Sequence, residues 1–376
     1  MRRPPLRFAV DPIAHSLTGG ALAAAGLKRV TPLATAALLI GANAPDIDAL
    51  TYFGGDYASL AHRRGWTHGV LALVVWPFVV AGALLAFDRV RRRYRPGLTP
   101  ARAGPLLAVS TIAVLTHPTL DWLNNYGMRW LMPFDGRWFY GDALFIIDPW
   151  VWLALGGVLF LAHSERAAAK AAWALFALAA SILVFVTDDV PVVSRVVWAV
   201  GVALFAGARL AGVTARSRPA TIERAAASAL ALVASYMILC VLANIPARAE
   251  VRAILASTGV ADVGDVMIGP VPANPFGGYV VAETPDAYYT GRWHWLDTPR
   301  FTPQPAPIPK GDAGPVVEAA RAAPHARRYL VWSRFPYFQV DRHDGGYIVR
   351  IDDARYPDGR LGGVVVRLDE NLEPVP

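Results

Sequence analysis

The chain has 376 residues, of which 55% are hydrophobic and only 17% are charged. Soluble domains carry about 25% charged residues, so this composition excludes an ordinary soluble protein and favours a membrane protein with a soluble appendage. A single cysteine, Cys240, excludes an intramolecular disulfide and a cysteine-rich metal site. The net charge of +7 does not indicate nucleic acid, because the arginines fall mostly in short loops between apolar segments, where they control membrane topology.

The apolar segments predict a helical, polytopic membrane domain. Two short ones come first, at about residues 13–27 and 33–44. Each is below the roughly 20 residues of a full span, so we expect a re-entrant hairpin or tilted helices packed within protein. About six fuller spans follow, at residues 68–87, 105–123, 145–162, 171–187, 193–210 and 225–243. The predicted fold class is mainly α, with this membrane domain at residues 1–243.

From residue 244 to residue 376 the chain has no run long enough to span a membrane. A helix at about 246–257 is predicted to lead out of the last span. Short strand-like runs and turn signals then predict a small, soluble, β-rich domain. The runs lie at 278–282, 329–332, 347–351 and 364–368, and the turns at Asp344–Gly346 and Asp358–Gly359. We expect the tryptophans of this tail to be core or membrane-interface groups.

Two arginine-rich loops, at about residues 88–104 and 211–224, assign the sides of the membrane. By the positive-inside tendency both are cytoplasmic, which predicts an extracytoplasmic tail. The same alternation places the histidines and aspartates of the membrane domain at the outer ends of their helices. Arg2, Arg3 and Arg7 would then lie on the outer side, against that tendency.

Histidine and aspartate residues accumulate in the otherwise apolar first third of the chain. Ionisable groups beside membrane segments are costly, so their default interpretation is functional. A mixture of imidazole and carboxylate suits a divalent metal, zinc first and manganese second. Two pairs, Asp11 with His15 and His117 with Asp121, stand four residues apart and would share a helix face.

These residues carry specific predicted roles. The predicted metal ligands are His15, Asp46, His62, His68, His117 and Asp121. Asp48 is the first candidate for a general base or bridging ligand, and Arg63 or Arg64 is expected to meet a phosphate oxyanion. Because this set exceeds one tetrahedral zinc, either two metals bind or some members orient the ligands. For Asp11 two interpretations remain open, a metal ligand and the cap of the first helix.

The same residues form four ordered motifs, Asp11–His15, Pro45–Asp48, His62–His68 and His117–Asp121, the last followed by Asn125–Gly127. Over about the first 150 residues this set resembles the YdjM-like family of predicted membrane-bound metal-dependent hydrolases. The run Trp332–Pro336 looks like the C-terminal extension of its longer members. More distantly, the pattern is similar to the zinc-dependent phospholipase C and S1/P1 nuclease group. The third motif departs from the family pattern, since Arg64 stands where glycine commonly follows a single arginine.

The resemblance implies a metal-dependent hydrolase of the bacterial inner membrane. With the predicted topology, its active site lies at the extracytoplasmic face and suits a membrane lipid, a lipid-linked molecule or another phosphoester. The alternative is a nonenzymatic membrane regulator or scaffold whose metal is structural. A metal transporter is disfavoured, because the ligands gather at one face with no second cluster across the membrane.

Overall fold

A computed structural model describes residues 11–54, 57–356 and 363–375. Two 3-10 helices, at Leu27–Arg29 and Ala44–Gly54, interrupt the first helices. The α-helices are α1 Pro12–Ala24, α2 Ala34–Gly41, α3 Ala58–His62, α4 Val70–Tyr94, α5 Ala103–Trp122, α6 Pro149–His163, α7 Ala167–Val186, α8 Val192–Leu210, α9 Pro219–Ser257, α10 Pro315–Ala322 and α11 Pro324–Leu330. The predicted fold class, a helical membrane domain followed by a small β-rich domain, is confirmed.

Five of the described helices are long and apolar enough to cross a membrane: α4, α5, α7, α8 and α9. Their outward faces are apolar, as Phe78, 61% exposed on α4, and Leu204, 68% exposed on α8, illustrate. Such faces are stable only against lipid or another apolar surface.

One of the six predicted spans, at residues 145–162, is corrected to a shorter apolar helix. With 15 residues α6 is about 22 Å long, which is less than the roughly 30 Å of the hydrocarbon core. Helix α6 begins at Pro149, later than the predicted start at residue 145. The Asp148 side chain caps it by accepting hydrogen bonds from the backbone N–H groups of Trp150 and Val151, and Pro149 lies in the first turn.

The two short N-terminal helices are packed within the protein. Ala21 of α1 and Ala37 of α2 are fully buried. A Cβ atom at Gly19 would come within 2.6 Å of the Leu38 carbonyl oxygen, so glycine permits this close contact between α1 and α2. The helices are antiparallel, and therefore the start of α1 and the end of α2 lie at the same end of the bundle. Arg2, Arg3 and Arg7 lie outside the described residues.

The arginine-rich loops lie at the opposite end of the bundle. Arg29, beside the turn between α1 and α2, pairs with Glu223 in the first turns of α9. The backbone N–H of Arg102, which precedes α5, donates to the Thr31 hydroxyl at 2.9 Å. The other end of the bundle therefore holds the starts of α1, α4 and α6 with the ends of α2 and α5.

The tail contains two antiparallel sheets. In the first, β1 Val266–Val271, β2 Asn274–Glu283, β3 Ala287–His294 and β4 Phe301–Pro303 follow in order, and β5 Ile308–Pro309 also pairs with β3. The second has the order β6 Pro336–His343, β7 Gly346–Asp353, β8 Val364–Leu368 and β9 Pro374–Val375. The boundary predicted at 243/244 falls inside α9, one continuous helix whose last turns pack through Val251 and Leu255 against the first sheet.

The strand predictions in the tail are mostly confirmed. Residues 278–282, 347–351 and 364–368 lie in β2, β7 and β8, and the predicted turn joins β6 to β7 with Gly345 at φ +91°. The strand predicted at 329–332 is wrong. Residues 329 and 330 end α11 and residues 331 and 332 form the turn after it, because Pro324 starts a helix that buries Ala326 and Tyr329 on one face. The predicted turn at Asp358–Gly359 lies outside the described residues.

Candidate metal centre

Four of the predicted ligands converge at the loop end of the bundle. The group is Asp46, His68, His117 and Asp121, whose ligand atoms all lie within 4.8 Å of one another. Asp46 comes from the 3-10 helix Ala44–Gly54, His68 from the loop before α4, and the other two from the last turns of α5. His117 and Asp121 meet as their spacing of four predicts. All but the half-buried Asp46 are buried.

The spacing of the ligand atoms fits a single divalent ion. Nε2 of His68 lies 3.0 Å from Nε2 of His117 and 3.3 Å from Oδ2 of Asp121. Nε2 of His117 is 3.5 Å from that same Oδ2. Asp46 is more distant, with Oδ1 at 3.7 Å from His117 Nε2 and 3.9 Å from His68 Nε2. A tetrahedral zinc with bonds near 2.0–2.1 Å separates its ligands by about 3.4 Å.

Both imidazoles turn Nε2 toward the centre because Nδ1 is bound elsewhere. His117 Nδ1 donates to the backbone carbonyl of Ala42, at the end of α2, over 2.7 Å. His68 Nδ1 lies 3.2 Å from Oδ2 of Asp48. A proton held on Nδ1 leaves the Nε2 lone pair free for a metal, the usual arrangement behind ligating histidines.

Asp48 stands behind His68, not among the four converging residues. Its Oδ2 also accepts the backbone N–H of Arg64 at 2.8 Å and the Thr67 hydroxyl at 3.2 Å. These contacts hold the carboxylate in place while it faces the imidazole N–H. The geometry therefore supports an orienting role for Asp48 over the predicted general base or bridging ligand.

Two buried arginines each hold a carboxylate of the group. Arg63 Nη2 donates to Asp46 Oδ1 at 2.8 Å. Arg64 Nη2 donates to Asp121 Oδ1 at 2.7 Å, and Arg64 Nη1 donates to Asn124 Oδ1 at 2.8 Å. Arg64 has φ +51°, a left-handed conformation that favours glycine. Its own side-chain contacts compensate for the strain.

Two carboxylate oxygens of the four-residue group have no hydrogen-bond donor among the described residues. They are Asp46 Oδ2 and Asp121 Oδ2. A buried anionic oxygen without a donor is costly, and a divalent cation satisfies it directly. The donor set, the ligand spacing and these oxygens together fit a metal ion at this position.

The remaining predicted ligands lie outside the four-residue group. His15 is adjacent to it: its ring stacks on His117 with centroids 3.8 Å apart, and its Nε2 lies 3.5 Å from Asp121 Oδ1. His62 is exposed at the end of α3. Asp11 caps α1, since its side chain accepts the Ala14 N–H at 3.0 Å and the Trp152 indole N–H at 2.8 Å.

Sequence analysis missed residues that support the site. One is Asn124, whose side-chain oxygen accepts a hydrogen bond from Arg64. It follows Asp121 by three residues, and this spacing was a signal that could have identified it. Others depend on the tail. Arg355 Nη1 donates to the Asn125 carbonyl at 2.8 Å, and the Trp332 ring lies 5.2 Å from that of Tyr126. No local signal connects positions so far apart in the chain.

Comparison with known proteins identifies a family for the part of the chain that holds the site. The sequence model described as YdjM inner membrane protein matches residues 10–192, a range that includes all four converging residues. Uncharacterized protein YfhP of Bacillus subtilis (strain 168) is 25% identical over 118 residues, which cover 31% of this chain and 33% of that protein. The chain thus matches about a third of the length of this relative. No solved structure matches the chain.

Proposed function

Because residues 10–192 match the YdjM inner membrane protein family, we propose that this chain is a multi-pass inner-membrane enzyme that hydrolyses its substrate with a divalent metal. The observation that carries the proposal is the convergence of two Nε2 atoms and two carboxylates beside a cavity. Zinc is the first candidate and manganese the second, because both accept nitrogen and oxygen ligands.

The candidate ligands are Asp46, His68, His117 and Asp121. An ion bound by them would polarise a substrate oxygen and lower the pKa of water. Asp48 and the Ala42 carbonyl keep the two imidazoles oriented. Arg64 holds Asp121 in place through a hydrogen bond to Oδ1.

His15 is placed to handle a proton. It is buried beside His117, and its Nδ1 has no hydrogen-bond partner among the described residues. It also lines the cavity next to the candidate ligands. Holding or transferring a proton at Nδ1 therefore suits His15 better than ligation does. Within the described part of the chain, Nε and Nη1 of Arg63 have no hydrogen-bond partner, so Arg63 remains the candidate to bind a phosphate oxyanion.

The cavity supports an amphipathic substrate. Beside His15, Asp121 and Asn124 it is lined by apolar side chains, among them Leu144 and Phe145. It lies where helices of the membrane domain end, so a lipid or lipid-linked molecule can present its head group there without leaving the bilayer. A phosphoester in that head group would use both the metal and an arginine.

A structural metal in a regulator or scaffold is the competing proposal. It is favoured by one observation, that four protein side chains converge and four ligands saturate a tetrahedral ion. Replacement by Co²⁺ discriminates the two, because the visible absorption of Co²⁺ is intense for four ligands and weak for six. A spectrum that changes on adding phosphate or a substrate analogue indicates an accessible coordination position, and an unresponsive four-coordinate spectrum supports the structural metal.

The function is tested with His68→Ala and its neighbour His62→Ala in the purified full chain. Both variants are assayed for bound metal and for hydrolysis of phosphoester, phospholipid and peptide substrates. We expect His68→Ala to lose metal and turnover and His62→Ala, exposed and outside the group, to retain both. Undiminished turnover in a folded His68→Ala variant would falsify the hydrolase proposal.

A further inference from the structure

A second cavity lies between the membrane domain and the first sheet of the tail. Its wall comes from the segment before α6, from α9 and from strands β1 to β3. Six of its lining residues carry the argument that follows: Asp142, Phe145, Asp148, Tyr236, Cys240 and Trp293. The cavity is therefore built jointly by residues of the membrane domain and of the tail.

The Trp293 side chain in this wall has an unused hydrogen-bond donor. It is only 2% exposed, and its indole Nε1 has no partner among the described residues. Buried indole N–H groups usually find an acceptor, and leaving one unpaired is costly. Trp293 therefore indicates a ligand that supplies an oxygen acceptor.

The described lining of this cavity carries carboxylates and no lysine or arginine, which disfavours an anionic ligand group. Asp142 is paired with Arg248 at 2.8 Å and with Arg334 at 3.0 Å. Asp148 caps α6 and accepts the Tyr236 hydroxyl at 3.0 Å. Carboxylates repel a phosphate but accept hydrogen bonds from hydroxyl groups. Together with the indole donor they suit a neutral group that carries hydroxyls, such as a glyceryl or glycosyl group.

The second cavity adjoins the one beside the metal centre. Phe145 and Asp148 line both of them. We propose that the second cavity is a subsite for the neutral, hydroxyl-bearing part of an amphipathic ligand, held by Trp293 while the reacting group lies at the metal centre. Naming this ligand the substrate rests on the proposed function, whereas the subsite itself does not require a bound metal.

Cys240 provides a reporter for the test. It is the single cysteine of the chain, it is half-buried, and it lines the cavity. The full-length protein, in lipid nanodiscs with EDTA, is reacted at mildly alkaline pH with a small thiol reagent, and labelling is followed by mass spectrometry. The probes are methyl glucoside and glycerol as free polyols, hexyl glucoside as the lipid-like form, and inorganic phosphate.

Saturable protection by the polyol probes and none by phosphate is expected. Stronger protection by hexyl glucoside than by methyl glucoside would identify the lipid-linked form as the ligand. Equal protection by these two probes would identify a free polyol as the ligand. Trp293→Phe keeps the ring but removes the N–H, so it should weaken protection about three- to tenfold, the effect of one neutral hydrogen bond. Trp150→Phe is the matched control, because the Trp150 indole N–H also has no partner among the described residues but lies outside the cavity lining.

Two outcomes would overturn the subsite. They are protection by phosphate as strong as that by the polyols, and equal affinity for the polyols in the Trp293→Phe and Trp150→Phe variants. Because EDTA is present throughout, these outcomes are independent of metal binding and turnover. A failed subsite and a failed hydrolase are therefore distinguishable.

Discussion

At the scale of single residues, Asp121 connects the candidate ligands to their supports. Its Oδ2 lies within 3.5 Å of Nε2 of both His68 and His117. Its Oδ1 accepts the hydrogen bond from Arg64 and approaches His15 at 3.5 Å. One carboxylate thus contacts two imidazoles of the group, the stacked third imidazole and a buried guanidinium.

Replacing this carboxylate should abolish tight metal binding. Asp121→Asn keeps the size of the side chain but removes its charge, and it leaves Arg64 buried without its anionic partner. We expect metal affinity to fall more than about 100-fold, the upper end of the loss seen when only an outer-shell partner is removed. Competition with a metal-sensitive dye measures it.

Asp11→Asn is the matched control for that change. Asn caps helices about as well as Asp, and Asp11 contacts Ala14 and Trp152 instead of the group. Its metal affinity should be unchanged. A comparable loss in both variants would mean that metal binding depends on general integrity of the membrane domain, not on the four-residue group.

At the scale of elements, closely packed small residues position the histidines. α1 contacts α2 through Gly19, and α2 contacts α5 through Gly41, whose added Cβ would lie 2.8 Å from the Cβ of Ala113. At the end of α2 the Ala42 carbonyl binds His117. The separation of these helices therefore decides where the imidazole of α5 points.

Gly19→Ala should weaken metal binding without touching a ligand. The added methyl group meets the Leu38 carbonyl oxygen at 2.6 Å and forces α2 away from α1, with an overpacking cost of about 1–3 kcal/mol. Displacing Ala42 from His117 should lower metal affinity about 10- to 100-fold, as for other outer-shell partners. The same dye competition measures it.

Gly82→Ala in α4 is the control for Gly19→Ala, since an added Cβ there meets nothing within 4 Å. It should bind metal as the native chain does. If the Gly19→Ala variant also binds metal normally, α2 adjusts to the added methyl group and its distance from α1 does not position His117.

At the scale of the whole molecule, the tail packs against the loops that support the site. Arg355 binds the Asn125 carbonyl, packs on Trp332 at 4.3 Å, and pairs with the buried Asp353 at 2.9 Å. Trp332 in turn contacts Tyr126, over which Arg64 lies at 4.7 Å. The chain of contacts from Asp353 to Arg64 connects the core of the tail to the metal centre.

The Asp353 pair gives a pH prediction. Burial acts to raise the Asp353 pKa, but the charge of Arg355 and several hydrogen bonds hold that pKa below its usual value. This contribution to stability is present above the unfolded-state pKa of about 3.9 and is lost as the pH falls through the folded-state pKa. Arg355→Met should therefore cost about 3–5 kcal/mol at pH 7.

The destabilisation by Arg355→Met should be smaller at pH 4.5 than at pH 7, because the Asp353 pKa rises without its partner and protonation relieves the buried charge. Thermal unfolding followed by near-UV circular dichroism measures it at both values. Arg350→Met, which breaks an exposed pair with Asp341, is the control and should cost at most about 1 kcal/mol at either pH. Equal destabilisation of both variants would contradict the buried pair.

Orientation in the membrane is the second prediction at this scale. The arginine-rich loops lie at the bundle end opposite the metal centre, so we propose that the centre and the tail face outward. Alkaline phosphatase fused after residue 375 should be active, because it folds only outside the cytoplasm. A fusion after residue 214, in the loop before α9, should be inactive. The reverse pattern would place the candidate site inside.

Local physics made much of the molecule predictable. Apolar runs predicted the membrane helices, alternation and turn residues predicted β2, β7 and β8, and a spacing of four predicted that His117 and Asp121 meet. These features depend on residues close in sequence, whose relative positions the helix or strand dictates. The resemblance to the YdjM family, confirmed over residues 10–192, rested on short ordered motifs of the same local kind.

The division of the His and Asp set into candidate ligands, residues that orient them and residues outside the group was decided only by the tertiary structure. His62 and His68 lie in one short motif, yet the turn between them leaves one exposed and buries the other. Asp46 and Asp48 are two residues apart, but one faces the group while the other holds His68. A ligand is defined by where its lone pair points, and that direction depends on packing between segments tens of residues apart, which sequence spacing does not encode.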